Sequence, residues 1–141
     1  MKLARISLIF GLFLIFQSCG SGQAEENTKK RAEVIAIHDE VMPKMGQLKS
    51  LEKSALEKAE ELSALENVDS ARVRELNDLA LELDQAYEGM FVWMRQYETE
   101  DGERTPEEVQ VYLDQQMVLI TEVNKNMKSA LAKADSLLKI Q

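Results

Sequence analysis

His38, Met42 and Met45 stand at i, i+4 and i+7 in the string HDEVMPKM. On a helix of 3.6 residues per turn this spacing puts an imidazole and two thioethers within about 60° of one face. Imidazole with thioether is a soft donor set, suited to Cu(I) over harder ions. Pro43 lies inside the same stretch. Its ring removes an amide donor and displaces the carbonyl four residues back, so the helix is expected to kink or loosen there. Met90, Phe91, Trp93, Met94 and Tyr97 form a second cluster of polarizable or ring-bearing side chains. A plainer role competes for all of these residues. Met90 and Met94 also fall on the apolar stripe of their own helix, and methionine is a gap-filler that packs well against rings. His38, Met42, Met45, Met90, Trp93 and Met94 therefore stand as a core tier, a protein or peptide groove, or a Cu(I) or small-ligand site. A kink at Pro43 also serves simply to bend the first helix around the third.

The rest of the chain offers no catalytic set. There is one histidine, no glycine-rich phosphate loop and no nucleophile elbow. A di-iron bundle needs Glu-x-x-His on two helices, but the residue three before His38 is Ile35 and no second histidine exists. Glu57, Glu60 and Glu61 read as a solvated helix face, with Lys53 and Glu57 spaced as a surface pair. The expectation is a protein with no catalytic residue, no enzymatic activity and no resident cofactor.

The only cysteine, Cys19, sits where an apolar run ends. Met1 to Arg5 is a short positive stretch, and Ile6 to Phe16 (ISLIFGLFLIF) follows it. Eleven residues of helix reach only ~16 Å, about half a bilayer core, so the run reads as an export signal and not as a membrane span. Phe16-Gln17-Ser18-Cys19-Gly20 resembles the bacterial lipobox, in which a small residue precedes a cysteine that is acylated and becomes N-terminal. A lone cysteine makes no internal disulfide, and acylation is a use that explains its position. The expected boundaries are a leader over 1–18, a lipidated cysteine with a flexible tether over 19–28, and a helical domain over 29–141. Because Gly20 is not the aspartate of inner-membrane retention, the lipobox likeness implies the outer membrane; the expected face is the periplasmic one.

Loss of the leader removes Lys2 and Arg5 and no acidic residue, which moves the formal charge from −8 to −10. An acidic surface repels phosphate backbones, so nucleic acid is not an expected partner. The expected partners are the membrane, through the lipid, and an envelope protein or a second copy of the chain. Residues 20 to 28 (GSGQAEENT) are small and polar, the composition of a flexible tether. Lys29-Lys30-Arg31 then reads either as a solvated first turn or as a basic patch touching anionic headgroups.

From Val34 the apolar residues step by three and four, as a and d positions of a heptad. Val34, Ile37, Val41, Leu48, Leu51, Ala55, Leu62 and Leu65 make the first series, with Lys44 and Lys58 as polar d positions. Val73, Leu76, Ala80, Leu83, Tyr87, Met90, Met94 and Tyr97 make the second. Thr105-Pro106-Glu107-Glu108 opens the third with an N-cap, a proline in the first turn and a capping-box glutamate. That third series is Val109, Leu113, Gln116, Ile120, Val123, Met127, Ala130, Ala134 and Leu137. The spacing predicts an all-α chain with helices at about 29–66, 70–97 and 106–139. Short connections predict an antiparallel, up-down-up three-helix bundle with coiled-coil packing. If the first turn centres near Asn67-Val68, Met45 lies level with Met90 or Phe91, Met42 with Met94, and His38 with the end of the second helix. Trp93 and Tyr112 fall in the same tier.

The strings His38-Asp-Glu-Val-Met-Pro-Lys-Met-Gly46 and Met90-Phe-Val-Trp-Met-Arg-Gln-Tyr97 resemble those of small helical lipoproteins of Bacteroidota, often labelled viral A-type inclusion protein-like. The resemblance implies a helical fold and an envelope location. It carries no catalytic or binding residue across.

Overall fold

The computed structural model describes residues 19–139, so the leader expected over 1–18 lies outside the described residues. The order of elements is α1 (Cys19–Val41), a 3-10 turn (Met42–Lys44), α2 (Met45–Ser63), α3 (Ser70–Gln96) and α4 (Pro106–Lys139). The described residues are helical, with no strand among them. Three helical stretches pack against one another, and the first is broken into α1 and α2. Among the described residues no helix is long and apolar enough to cross a membrane.

Local chemistry sets the helix starts. Asp69 caps α3, its Oδ1 accepting from Ala71 N at 3.1 Å and Arg72 N at 3.0 Å. At α4 the capping box closes in both directions: Thr105 N donates to Glu108 Oε2 (2.8 Å) and Glu108 N donates to Thr105 Oγ1 (3.3 Å). Each reciprocal bond satisfies an amide that the helix itself leaves unpaired. In the intervening loop Gly102 takes φ of 61°, a left-handed conformation that glycine adopts without a Cβ clash.

One expected boundary is corrected. Residues 19–28 are not an irregular tether, because α1 begins at Cys19 and runs through them. Gly20 and Gly22 disfavour helix locally, but Asn27 is buried and Nδ2 donates to Pro106 O at 2.7 Å. Gln23 Nε2 in turn donates to Asn27 Oδ1 at 3.2 Å, and Thr28 Oγ1 donates to Ala24 O at 2.9 Å. A helix nucleated and pinned by such contacts propagates through poor formers at small cost per residue.

The core follows the three series and widens them. Val34, Val41, Leu48, Leu76, Leu83, Met90, Leu113, Ile120 and Met127 are buried, and Met45, Ala59, Leu79, Ala86 and Trp93 join them from outside the a and d positions. Each helix of a trio faces two neighbours, so its apolar stripe is broader than the seam of a two-stranded coil. Leu65, placed on the core stripe by its spacing, is 54% exposed because α2 has already ended at Ser63.

The break changes which neighbour the first stretch touches. α1 lies against α4, and α2 lies chiefly against α3. Buried Ala55 and Ala59 of α2 and Ala80 of α3 allow that second pair to approach closely. Between α1 and α3 the space is filled by larger side chains, among them His38, Trp93 and Tyr97. Cross-pairs give the direction of each contact. Lys30 pairs with Asp114 and Glu40 with Lys128, so numbers rise together along α1 and α4. His38 meets Trp93 while Lys49 pairs with Asp84, and Tyr112 meets Tyr97 while Lys133 pairs with Glu82, so numbers run oppositely against α3 on both sides.

Candidate functional site

The 3-10 turn at Met42–Lys44 carries Pro43 in its first positions, and the helix resumes with Met45 N donating to Met42 O. Proline supplies no amide there, which is why the α ladder is interrupted at this point. Helix α4 braces the end of α1 just before the break. Asn124, itself buried, donates from Nδ2 to Ile37 O at 3.1 Å and to Glu40 Oε2 at 2.9 Å. Lys128 Nζ donates to Glu40 Oε1. The Lys128 hydrogen bond foremost, and then that of Asn124, holds the Glu40 carboxyl below the ordinary carboxylate range.

A row of rings runs from the break to the 97–105 loop. His38 and Trp93 lie 5.4 Å apart between centroids, tilted by 32°. Trp93 stacks on Tyr97 at 4.7 Å, and Tyr97 on Tyr112 at 6.3 Å. Arg104 ends the row with its guanidinium 4.6 Å from the Tyr112 centroid. Offset rings at such spacings attract beyond their buried area. The Tyr112 hydroxyl accepts from Glu98 N at 2.6 Å and donates to Glu98 O at 3.4 Å. Burial, more than any charge, pushes the Tyr112 phenol up from its ordinary value. Beside this row Tyr87 meets Phe91 edge-on at 5.0 Å, with Lys49 Nζ 5.1 Å above the Tyr87 ring.

Burial sorts the candidate residues into two groups. Met45, Met90 and Trp93 belong to the core. Met42, Met94 and His38 are half-buried on its margin, with Phe91 and Tyr97 beside them. His38 Nδ1 lies 2.8 Å from Asp39 Oδ1. Among the described residues the buried atoms Trp93 Nε1 and Gln116 Oε1 lack a hydrogen-bond partner, as does Glu52 Oε2, which instead forms an ion pair with Lys49 Nζ. Among the described residues no group of three or more His, Cys, Asp or Glu side chains is placed to hold a metal ion. A metal at this tier would rest on thioethers. Lys44 and Lys58, the polar d positions, are half-buried at the bundle edge.

The basic trio is largely consumed within the molecule. Lys30 pairs with Asp114, and Arg31 pairs with Asp101 while donating to Glu98 O at 3.0 Å and Tyr97 Oη at 3.4 Å. These contacts clamp α1 to α4 and to the loop before it. Sequence reasoning missed Asn27, Glu40 and Asn124. The last had a signal: Asn124 stands four after Ile120 and three before Met127, a polar residue on an apolar face. Cys19 is the first residue of α1. Comparison with models of known families, with curated proteins and with solved structures returns no match.

Proposed function

We propose that the chain is a non-enzymatic envelope lipoprotein, acylated at Cys19, whose up-down-up, coiled-coil-packed bundle is an interaction or structural module at the membrane. The observation that carries the reading is one cysteine placed directly after an apolar leader of export length. Several acyl chains on one cysteine make an anchor far stronger than the marginal hold of a single chain. The opposite sense of His38–Trp93 with Lys49–Asp84 and of Tyr112–Tyr97 with Lys133–Glu82, and the common sense of Lys30–Asp114 with Glu40–Lys128, support the up-down-up order. The likeness of residues 38–46 and 90–97 to small helical lipoproteins of Bacteroidota supports the same envelope role, with the outer membrane as its location and its periplasmic side as the face.

The partner surface in this reading is the half-buried margin of Met42, Phe91, Met94 and Tyr97, a thioether and aromatic composition typical of protein interfaces. Its occupant is an envelope protein or a second copy of the chain. Metabolic labelling with a palmitate analogue tests the anchor. Wild type should take up label and partition with membranes, and Cys19→Ala should do neither. Unchanged membrane partitioning of Cys19→Ala would sink the lipid anchor. In-cell photocrosslinking from Phe91 and His38 tests the partner, and failure to capture any partner alongside substrate turnover by the purified chain would overturn the non-enzymatic role.

A further inference from the structure

We propose that His38, Met42 and Met94, walled by the indole of Trp93, form a binding site for a soft monovalent metal ion of the Cu(I) class. The histidine comes first. A carboxylate only accepts, so Asp39 Oδ1 at 2.8 Å places the imidazole proton on Nδ1. That tautomer leaves the lone pair of Nε2 free, which is the arrangement that second-sphere carboxylates impose on metal-binding histidines. Met42 stands one turn on at i+4, and side chains so spaced on a helix are neighbours. Met94 follows Trp93 on α3, which puts it at the level of His38 on the margin of the core. Both thioethers are half-buried on the margin of the core, within reach of solvent.

Burial narrows the donor set that spacing alone suggests. Met45 and Met90 are core residues, with exposures of 7% and 0%, and are committed to packing. The remaining donors are one imidazole and two thioethers, all neutral and soft. Such a set favours Cu(I) over Zn(II), Mg(II) or Ca(II), which take thiolate, imidazole or oxygen ligands. No group of three or more harder donors competes among the described residues. The indole adds a reporter beside the histidine. Its centroid lies 5.4 Å from that of His38 with a 32° tilt, so an ion bound at the imidazole alters the immediate surroundings of the indole. Binding is coordination alone: the ion enters and leaves as Cu(I), and no electron is transferred.

The inference does not rest on acylation of Cys19, and its test is separate. Trp93 is the only tryptophan, so its fluorescence reports directly on this tier. The purified full chain in detergent is titrated anaerobically with Cu(I) against a chromophoric chelator. One equivalent should bind with a dissociation constant below micromolar and quench the fluorescence, whereas Zn(II) should leave it unchanged. His38→Ala and Met42→Leu should each weaken binding at least tenfold, and Asp39→Ala should weaken it by about tenfold by removing the acceptor that fixes the tautomer. Met117→Leu, which removes a half-buried thioether elsewhere on α4, should bind as wild type does. Circular dichroism checks each fold, and the near-isosteric Met42→Leu carries the test if His38→Ala does not fold. Affinity weaker than micromolar, affinity unchanged in Met42→Leu, or binding without quenching overturns the proposal.

Discussion

Glu40 and Gln116 show how differently two polar side chains are treated by the same bundle. Glu40 is satisfied twice, by Asn124 and by Lys128, and its carboxyl titrates below the ordinary range. A group whose folded-state pKa is lowered adds stability above its unfolded value, and that contribution fades as pH falls through the folded value. Glu40→Gln should therefore lower the urea midpoint at about pH 7, and the difference from wild type should shrink as pH falls below the ordinary glutamate range. Added salt should shrink it too, since Glu40 and Lys128 are partly exposed. Gln116 is the reverse case: it is 7% exposed and Oε1 has no partner. A buried acceptor left unpaired costs about 1–3 kcal/mol, so Gln116→Leu should stabilise the protein by roughly 1 kcal/mol in chemical denaturation. A lower denaturation midpoint for that variant would show that the amide carries a structural role.

Among the elements, α3 tests how closely helices are allowed to approach. Ala55 of α2 is fully buried, and α2 packs chiefly against α3. Ala55→Leu should cost about 1–3 kcal/mol by overpacking, read as a fall in thermal midpoint. Gly89 sits inside α3 with open space where a Cβ would be. Gly89→Ala should add about 0.5–1 kcal/mol through reduced freedom of the unfolded chain. Its failure to stabilise would point to a neighbour that needs the bare backbone there. The break at Met42–Lys44 is the element-scale feature with the widest reach. Proline explains why the ladder stops, and the exchange of α4 for α3 as principal neighbour gives the interruption a tertiary use.

For the molecule as a whole, the N-terminal clamp decides how the bundle would stand on an anchor. Asn27 to Pro106, Lys30 to Asp114, and Arg31 to Glu98 and Asp101 tie α1 to the end of the bundle where α4 begins. With helix running from Cys19, an acyl anchor there would meet a stiff segment and hold the 97–105 loop near the membrane surface. Asn27→Ala leaves the Pro106 carbonyl without this donor and should cost about 1–2 kcal/mol. Hydrogen exchange should quicken most over residues 20–30. Uniform exchange along α1 would mean that the clamp is not what holds this segment.

Sequence and tertiary structure divided the problem along a physical line. The three-and-four spacing of Leu76, Leu83, Leu113 and Ile120, the Thr105–Glu108 capping box, and Pro43 are local signals, and each acts through its own few residues. They were enough for an all-helical chain of three stretches with an interruption beside His38. The imidazole and Trp93 also fall at one level because short connections fix the register. The local pattern could not decide how residues 20–28 behave, since their composition favours coil and only Asn27 meeting Pro106 about eighty residues later reverses it. Nor could it separate buried Met45 and Met90 from half-buried Met42 and Met94, because spacing gives the angle around a helix but not the distance to its neighbours. Asn124 reaching the last turn of α1, and the pairing of Lys30 and Arg31 with Asp114 and Asp101, depend on helices meeting at one orientation. Periodicity is written in one helix at a time, whereas burial and polar satisfaction belong to the space between helices.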